Sequence, residues 1–178
     1  ALGVGLRDND AGVRQASADA LVIIGQPAAD LLRTALLNDL DPGVRAEAAT
    51  IFGRSGSATA WYAEAVDALI LALADQEEHV RVAVRTALIR IHVIAHGQLV
   101  AALNDKNPVR RMGVSEVLGA IGHRGSIQPL ETLRKIELDP AVRTSIESAL
   151  EVLHAKPSAK MPSLPSPSTL KGSRSSGF

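Results

Sequence analysis

Apolar residues recur along this chain three and four positions apart, broken at intervals by short polar turns, which is the spacing of amphipathic helices and not of strands. The clearest stretch is Asp41 to Gly56. Asp41 reads as an N-cap, Pro42 as the first helical residue, and Val44, Ala48, Ile51 and Phe52 as one apolar stripe. An imperfect copy returns four more times. Aligned on the arginine that follows Val44, the copies place Arg14, Arg45, Arg81, Arg111 and Arg143 in register, with steps of 31, 36, 30 and 32 residues. A period near thirty, with one helix in the motif and room for a second, predicts an all-α fold. The expected architecture is a right-handed α-α superhelix of about five helical repeats.

Taken in order, the first unit has a stripe of Val13, Ala16, Ala20, Leu21 and Ile24, ended by Gly25, and a partner helix burying Leu32, Ala35 and Leu36. The second unit is longer by about five residues, and this insertion holds Trp61 and Tyr62, expected either to seal a longer loop or to touch a partner. Val66, Leu69, Ile70 and Leu73 follow on its second helix. The third unit has His92 where its neighbours have glycine, and its second helix, GQLVAALND, reads as the shortest. In the fourth, Val109-Arg110 imitates the motif. Asn107 as N-cap and Pro108 at the first helical position instead make Arg111 the equivalent of Arg45, and Gly122 supports that register because it lies eleven residues on, as Gly56 does from Arg45. Arg110 then falls on an apolar position, so either its stem covers the core with the guanidinium toward solvent, or the helix rolls slightly. The fifth unit restores the stripe with Val142, Ile146, Ala149, Leu150 and Leu153. Beyond it, residues 156–178 hold seven Ser and four Pro without an apolar face, which predicts a disordered tail after a solenoid of residues 1–155. Because the chain opens on Ala1, there is room for a leader or further repeats ahead of it.

Composition narrows this picture. Hydrophobic residues make up 46% of 178, but with two Phe, one Tyr and one Trp the core must be built of Leu, Ile, Val and Ala. The absence of cysteine excludes disulfides and thiolate metal sites and suits a reducing, cytoplasmic setting. Basic and acidic residues number 19 each, yet Lys156, Lys160, Lys171 and Arg174 lie in the tail, leaving residues 1–155 with 15 basic against 19 acidic, or minus four. An acidic body is a poor match for a nucleic-acid backbone. No apolar run is long enough for a membrane span.

The repeated arginine sits at the end of the first helical turn, where the helix dipole disfavours it. Its recurrence predicts compensation by an inter-repeat aspartate, drawn from Asp10, Asp41, Asp75, Asp105 and Asp139, in half-buried pairs that hold adjacent units in register. An arginine ladder for phosphate or carboxylate ligands is the rival reading, opposed by the acid near each arginine. His92 and His96 are four apart, with His123 as a distant third nitrogen donor, but no acidic ligand adjoins them, so no metal is expected. Nor is there a glycine-rich phosphate loop or a Ser, His and carboxylate grouping, and neither catalytic residues nor a cofactor are expected.

The stretches DPGVRAEAATIFG at Asp41 to Gly53 and AVDALILALAD at Ala65 to Asp75, with the Val-Arg, Ala and Ala-Leu positions of the other units, resemble the HEAT repeats, specifically the short HEAT-like repeats of the phycobilisome lyase type. The resemblance covers residues 1–154 and implies an armadillo-type solenoid serving as a scaffold or binding module. It implies that the second helix of each pair faces the concave surface, presenting Arg33, Thr34, Asp67, Leu71, Ala101, Gln128 and Thr132, with Trp61 and Tyr62 at an edge. Some HEAT-like hydroxylases bind two irons through His-Glu pairs. Here no such dipeptide exists, and Glu78-His79 is reversed. The expectation is a non-enzymatic module that grips another protein or a peptide. Its alternatives are a bilin lyase subunit or chromophore chaperone, with arginines pairing propionates, and a nucleic-acid-binding solenoid acting through its basic tail.

Overall fold

The computed structural model of the protein describes residues 2–54 and 62–155. Among the described residues ten α-helices follow one another: α1 (Leu2–Gly5), α2 (Ala11–Ile24), α3 (Ala29–Asn38), α4 (Pro42–Arg54), α5 (Tyr62–Ala72), α6 (Glu78–Arg90), α7 (His92–Ala102), α8 (Pro108–Ile121), α9 (Ile127–Ile136) and α10 (Pro140–Ala155). No strand occurs among the described residues. The even-numbered helices form one layer, each packed on the next, while α1, α3, α5 and α7 adjoin in a second layer that α9, packed against α10, continues through the His96–Ser126 contact of α7 with the turn before it. This is an all-helical solenoid.

Local chemistry starts and stops these helices. The Asp10 carboxylate accepts from the N–H groups of Gly12 and Val13, Asn107 accepts from Val109, and Asp139 accepts from Ala141 and Val142. Pro42, Pro108 and Pro140 open α4, α8 and α10, where a missing N–H costs nothing. Gly25 and Gly122 end α2 and α8 with φ of 67° and 75°, a region in which a side chain would be strained. One core runs the length of the stack. Counting from each repeated arginine, the third and seventh residues after it are buried in all five units: Ser17 and Leu21, Ala48 and Phe52, Val84 and Leu88, Val114 and Leu118, Ile146 and Leu150.

Two expectations are corrected. In α2 the buried face is Ser17, Ala18 and Leu21, whereas Val13, Ala16 and Ile24 are exposed, because no first-layer helix precedes α2 among the described residues. The third unit's second helix is not the shortest: α7 begins at His92, five residues before Gly97, directly after the buried Ile91. No glycine or proline spaces the two helices. His92 instead closes the junction, its Nδ1–H donating to the Ile89 carbonyl at 2.9 Å.

Candidate functional site

The second-layer helices carry the expected binding residues. Arg33 and Thr34 on α3, Asp67 and Leu71 on α5, Ala101 on α7, and Gln128 and Thr132 on α9 are all exposed. Arg33 lies 3.4 Å from the Asp30 carboxylate, and Asp67 accepts from the Gln98 side chain of α7 at 2.7 Å, which ties neighbouring units across the layer. The Thr132 hydroxyl is spent on the Gln128 carbonyl, 2.9 Å away and four residues back. Trp61 lies outside the described residues, and Tyr62 is the first residue of α5. The sequence reading passed over Leu31 and Val93, exposed apolar residues on the same helices. A groove of about 570 Å³ beside α3 is lined by Val4, Leu31, Thr34 and Asn38.

Arg45 and Arg111 lie in seams between units: Arg45 meets Asp75, one of the expected aspartates, whereas Arg111 meets Glu137, which was not among them. Each repeated turn has an acid two residues before the cap: Asp8, Asp39, Asp75, Asp105 and Glu137. Its carboxylate accepts from the backbone N–H of the cap residue, at 2.7–3.0 Å in all five turns. The arginine six positions on reaches back with Nη1 to the same acid's carbonyl, at 2.8 Å from Arg14, Arg45 and Arg111 and 2.6 Å from Arg81. Arg45 also forks onto Asp75 of the next unit at 2.7 and 2.9 Å, and Arg111 onto Glu137 at 2.6 and 2.7 Å. Asp10, Asp41 and Asp139 instead accept from N–H groups of the helices they cap.

The remaining arginines break the pattern. Arg7, not Arg14, pairs with Asp39, and Arg110, not Arg81, lies 3.1 Å from Asp105. Arg81 bonds Glu78 of its own helix, and Arg143 is exposed. Arg110 is therefore drawn to a carboxylate and keeps only 22% side-chain exposure, in place of an escape to solvent. Burial alone would push the Asp75 carboxyl up, but the Arg45 fork and the Glu77 N–H outweigh it and hold Asp75 below the usual carboxylate range. The Arg111 fork holds Glu137 at about 2 against the cost of burial, with the N–H groups of Asp139 and Leu138 assisting.

Glycine and alanine mark the same two seams. Gly53 and Gly119 each lie eight positions after a repeated arginine, and a Cβ on either would sit 2.8 Å from the Cα of Ala87 or Ala149 on the following helix. Thus α4 packs on α6, and α8 on α10, more closely than α2 packs on α4 or α6 on α8. At the equivalent position the other two seams have Val22 and Ile89. The histidines form a pair and not a triad. His96 Nε2 is 3.0 Å from the fully buried Ser126 hydroxyl, and its ring centroid is 4.4 Å from that of His123, while His92 is held elsewhere. Among the described residues no three potential ligands converge.

A family model described as HEAT repeats matches residues 1–51. A solved structure concerned with microtubule plus-end tracking by XMAP215, CLIP-170 and EB1 superposes with a TM-score of 0.63 at 18% identity, over 85% of this chain and 76% of that one. Another, concerned with tubulin recruitment and assembly by microtubule polymerases with Tumor Overexpressed Gene (TOG) domain arrays, gives 0.60 at 13% identity, over 85% of this chain and 39% of that longer one. No curated protein sequence matches the chain significantly.

Proposed function

We propose that the protein is a non-enzymatic interaction module that binds another protein or a peptide on the layer of second helices, taken as its concave face. The observation that supports this is the exposure of Arg33, Thr34, Asp67, Leu71, Ala101, Gln128 and Thr132 on four second-layer helices, a surface of small, polar and apolar groups. The fold neighbours come from work on tubulin recruitment and microtubule-end tracking. Their likeness is one of fold, so it supports a protein as the class of ligand and not a particular partner. The bilin reading draws no support from the arginines, since Arg45, Arg81 and Arg111 are occupied by backbone carbonyls and carboxylates and are not presented to propionates. Trp61 and Tyr62 remain part of the proposal as sequence features alone, and the basic tail belongs to the nucleic-acid alternative.

The test places charge on the proposed face. Leu71→Arg with Thr132→Arg should abolish partner recovery by the full chain, while Thr144→Arg on α10 of the first layer should leave it unchanged. Equal recovery by a folded Leu71→Arg/Thr132→Arg variant would remove this layer from consideration.

A further inference from the structure

The junction between the third and fourth units is built unlike the others. Arginine forks or pairs cross from Arg7 to Asp39, from Arg45 to Asp75 and from Arg111 to Glu137, but Asp105 is taken by Arg110 of its own unit, and Arg81 stays on Glu78. Ile89 stands where Gly53 and Gly119 allow close approach, and a groove of about 260 Å³ lined by Val82, Ile89, Glu116 and Ala120 separates α6 from α8. In the first layer the charged contact across this groove is Arg85 with Glu116, at 3.4 Å. In the second layer α7 is fastened to the turn before α9 by His96, His123 and Ser126.

We propose that this junction is an acid-sensitive hinge, closed when His96 and His123 are neutral and released when they are protonated, so that acidification changes the angle between units one to three and units four and five. The geometry supplies two effects. The Gly125 N–H donates to His123 Nδ1 at 3.2 Å, so neutral His123 carries its proton on Nε2; protonation fills Nδ1 and ends its service as cap of the Arg124–Ser126 turn. A second charge on His96 would then lie in a half-buried site beside the first, with Ser126 able to accept only one of its two N–H groups. Burial, and then His123, keep His96 below the usual histidine range, which opposes that second protonation in the closed state. From the turn and from α5, α6 and α8, His123 is the titratable group that acts on His96. Asp67 on α5 is engaged by Gln98, and Glu116 on α8 by Arg85.

This regulation rests on the reading of the second layer as a binding face only for its consequence, because the motion itself is measurable without a partner. The cysteine-free chain permits spin labels at Thr86→Cys on α6 and Ser148→Cys on α10, both exposed, with Val109→Cys and Ser148→Cys as a pair within units four and five. As the pH falls from neutral to below the ordinary histidine range, the first distance should shift and broaden while the second stays fixed. His123→Asn, which keeps a side-chain oxygen for the Gly125 N–H but does not titrate, should suppress the shift. An unmoved first distance in the wild type, or an equal shift in His123→Asn, overturns the hinge. Should that variant fail to fold, the wild-type arm decides alone. A hinge without partner binding, and partner binding without a hinge, are separate outcomes.

Discussion

Arg110 and Arg111 are adjacent in the chain and carry the same charge, yet they do different work. Arg111 makes a bidentate fork to a nearly buried Glu137 and also donates to the Asp105 and Lys106 carbonyls, whereas Arg110 Nε is buried beside Asp105 without an aligned hydrogen bond. Arg111→Ala strips a buried carboxylate of its partner and should cost about 1–3 kcal/mol, against under about 1 kcal/mol for Arg110→Ala, as read by denaturant unfolding. A larger loss for Arg110→Ala would mean that its contact with Asp105 holds the turn. The same pair sets a pH dependence. Glu137 falls from an ordinary 4.5 to about 2 in the folded state, so the unfolded chain takes up its proton first. The stabilisation is complete above the ordinary value and is lost as pH falls from there toward the folded value. Arg111→Ala should flatten the acid limb of a stability-against-pH curve in that window.

Between elements, two glycines on helices of similar length should respond to alanine with opposite signs. Gly119 on α8 faces backbone, with Ala149 Cα 2.8 Å from the position of an added Cβ, so Gly119→Ala must push α8 away from α10 and should destabilise by about 1–3 kcal/mol. Gly97 on α7 is exposed, and an added Cβ would meet nothing within 4 Å. Gly97→Ala therefore gains helix propensity at no steric cost and should stabilise by about 0.5–1 kcal/mol. Thermal melts of the two variants, displaced in opposite directions from the parent, are the expected result. A stable Gly119→Ala would show that the α8–α10 crossing relaxes without penalty.

Across the whole molecule, the close seams at α4–α6 and α8–α10 are interrupted by the looser α6–α8 seam, while α3 packs on both α4 and α5 and ties unit one to unit two, so the stack divides into units one to three and units four and five. Native-state hydrogen exchange should find the strongest protection within α4 and α6 and within α8 and α10, and the two groups should separate under mild denaturant. Uniform protection with a single opening free energy would contradict the block structure. The described helices include none long and apolar enough to cross a membrane.

Much of this was legible along the chain because it depends on neighbours in sequence. The period near thirty, the caps at Asp10, Asn107 and Asp139, the stops at Gly25 and Gly122 and the apolar stripes are local consequences of helix geometry. Even the second acid of each turn is visible in hindsight, since Asp8, Asp39, Asp75, Asp105 and Glu137 all precede their arginine by six residues. What needed the tertiary structure was the choice of partner. Arg45 finds Asp75 thirty residues away and Arg111 finds Glu137 twenty-six away, while Arg110 intercepts Asp105, because interhelix distances and not spacing decide which carboxylate a guanidinium reaches. The same reason hid the histidine pair: His92 and His96 look like partners at four residues apart, but stacking of one unit on the next brings His96 to His123 instead.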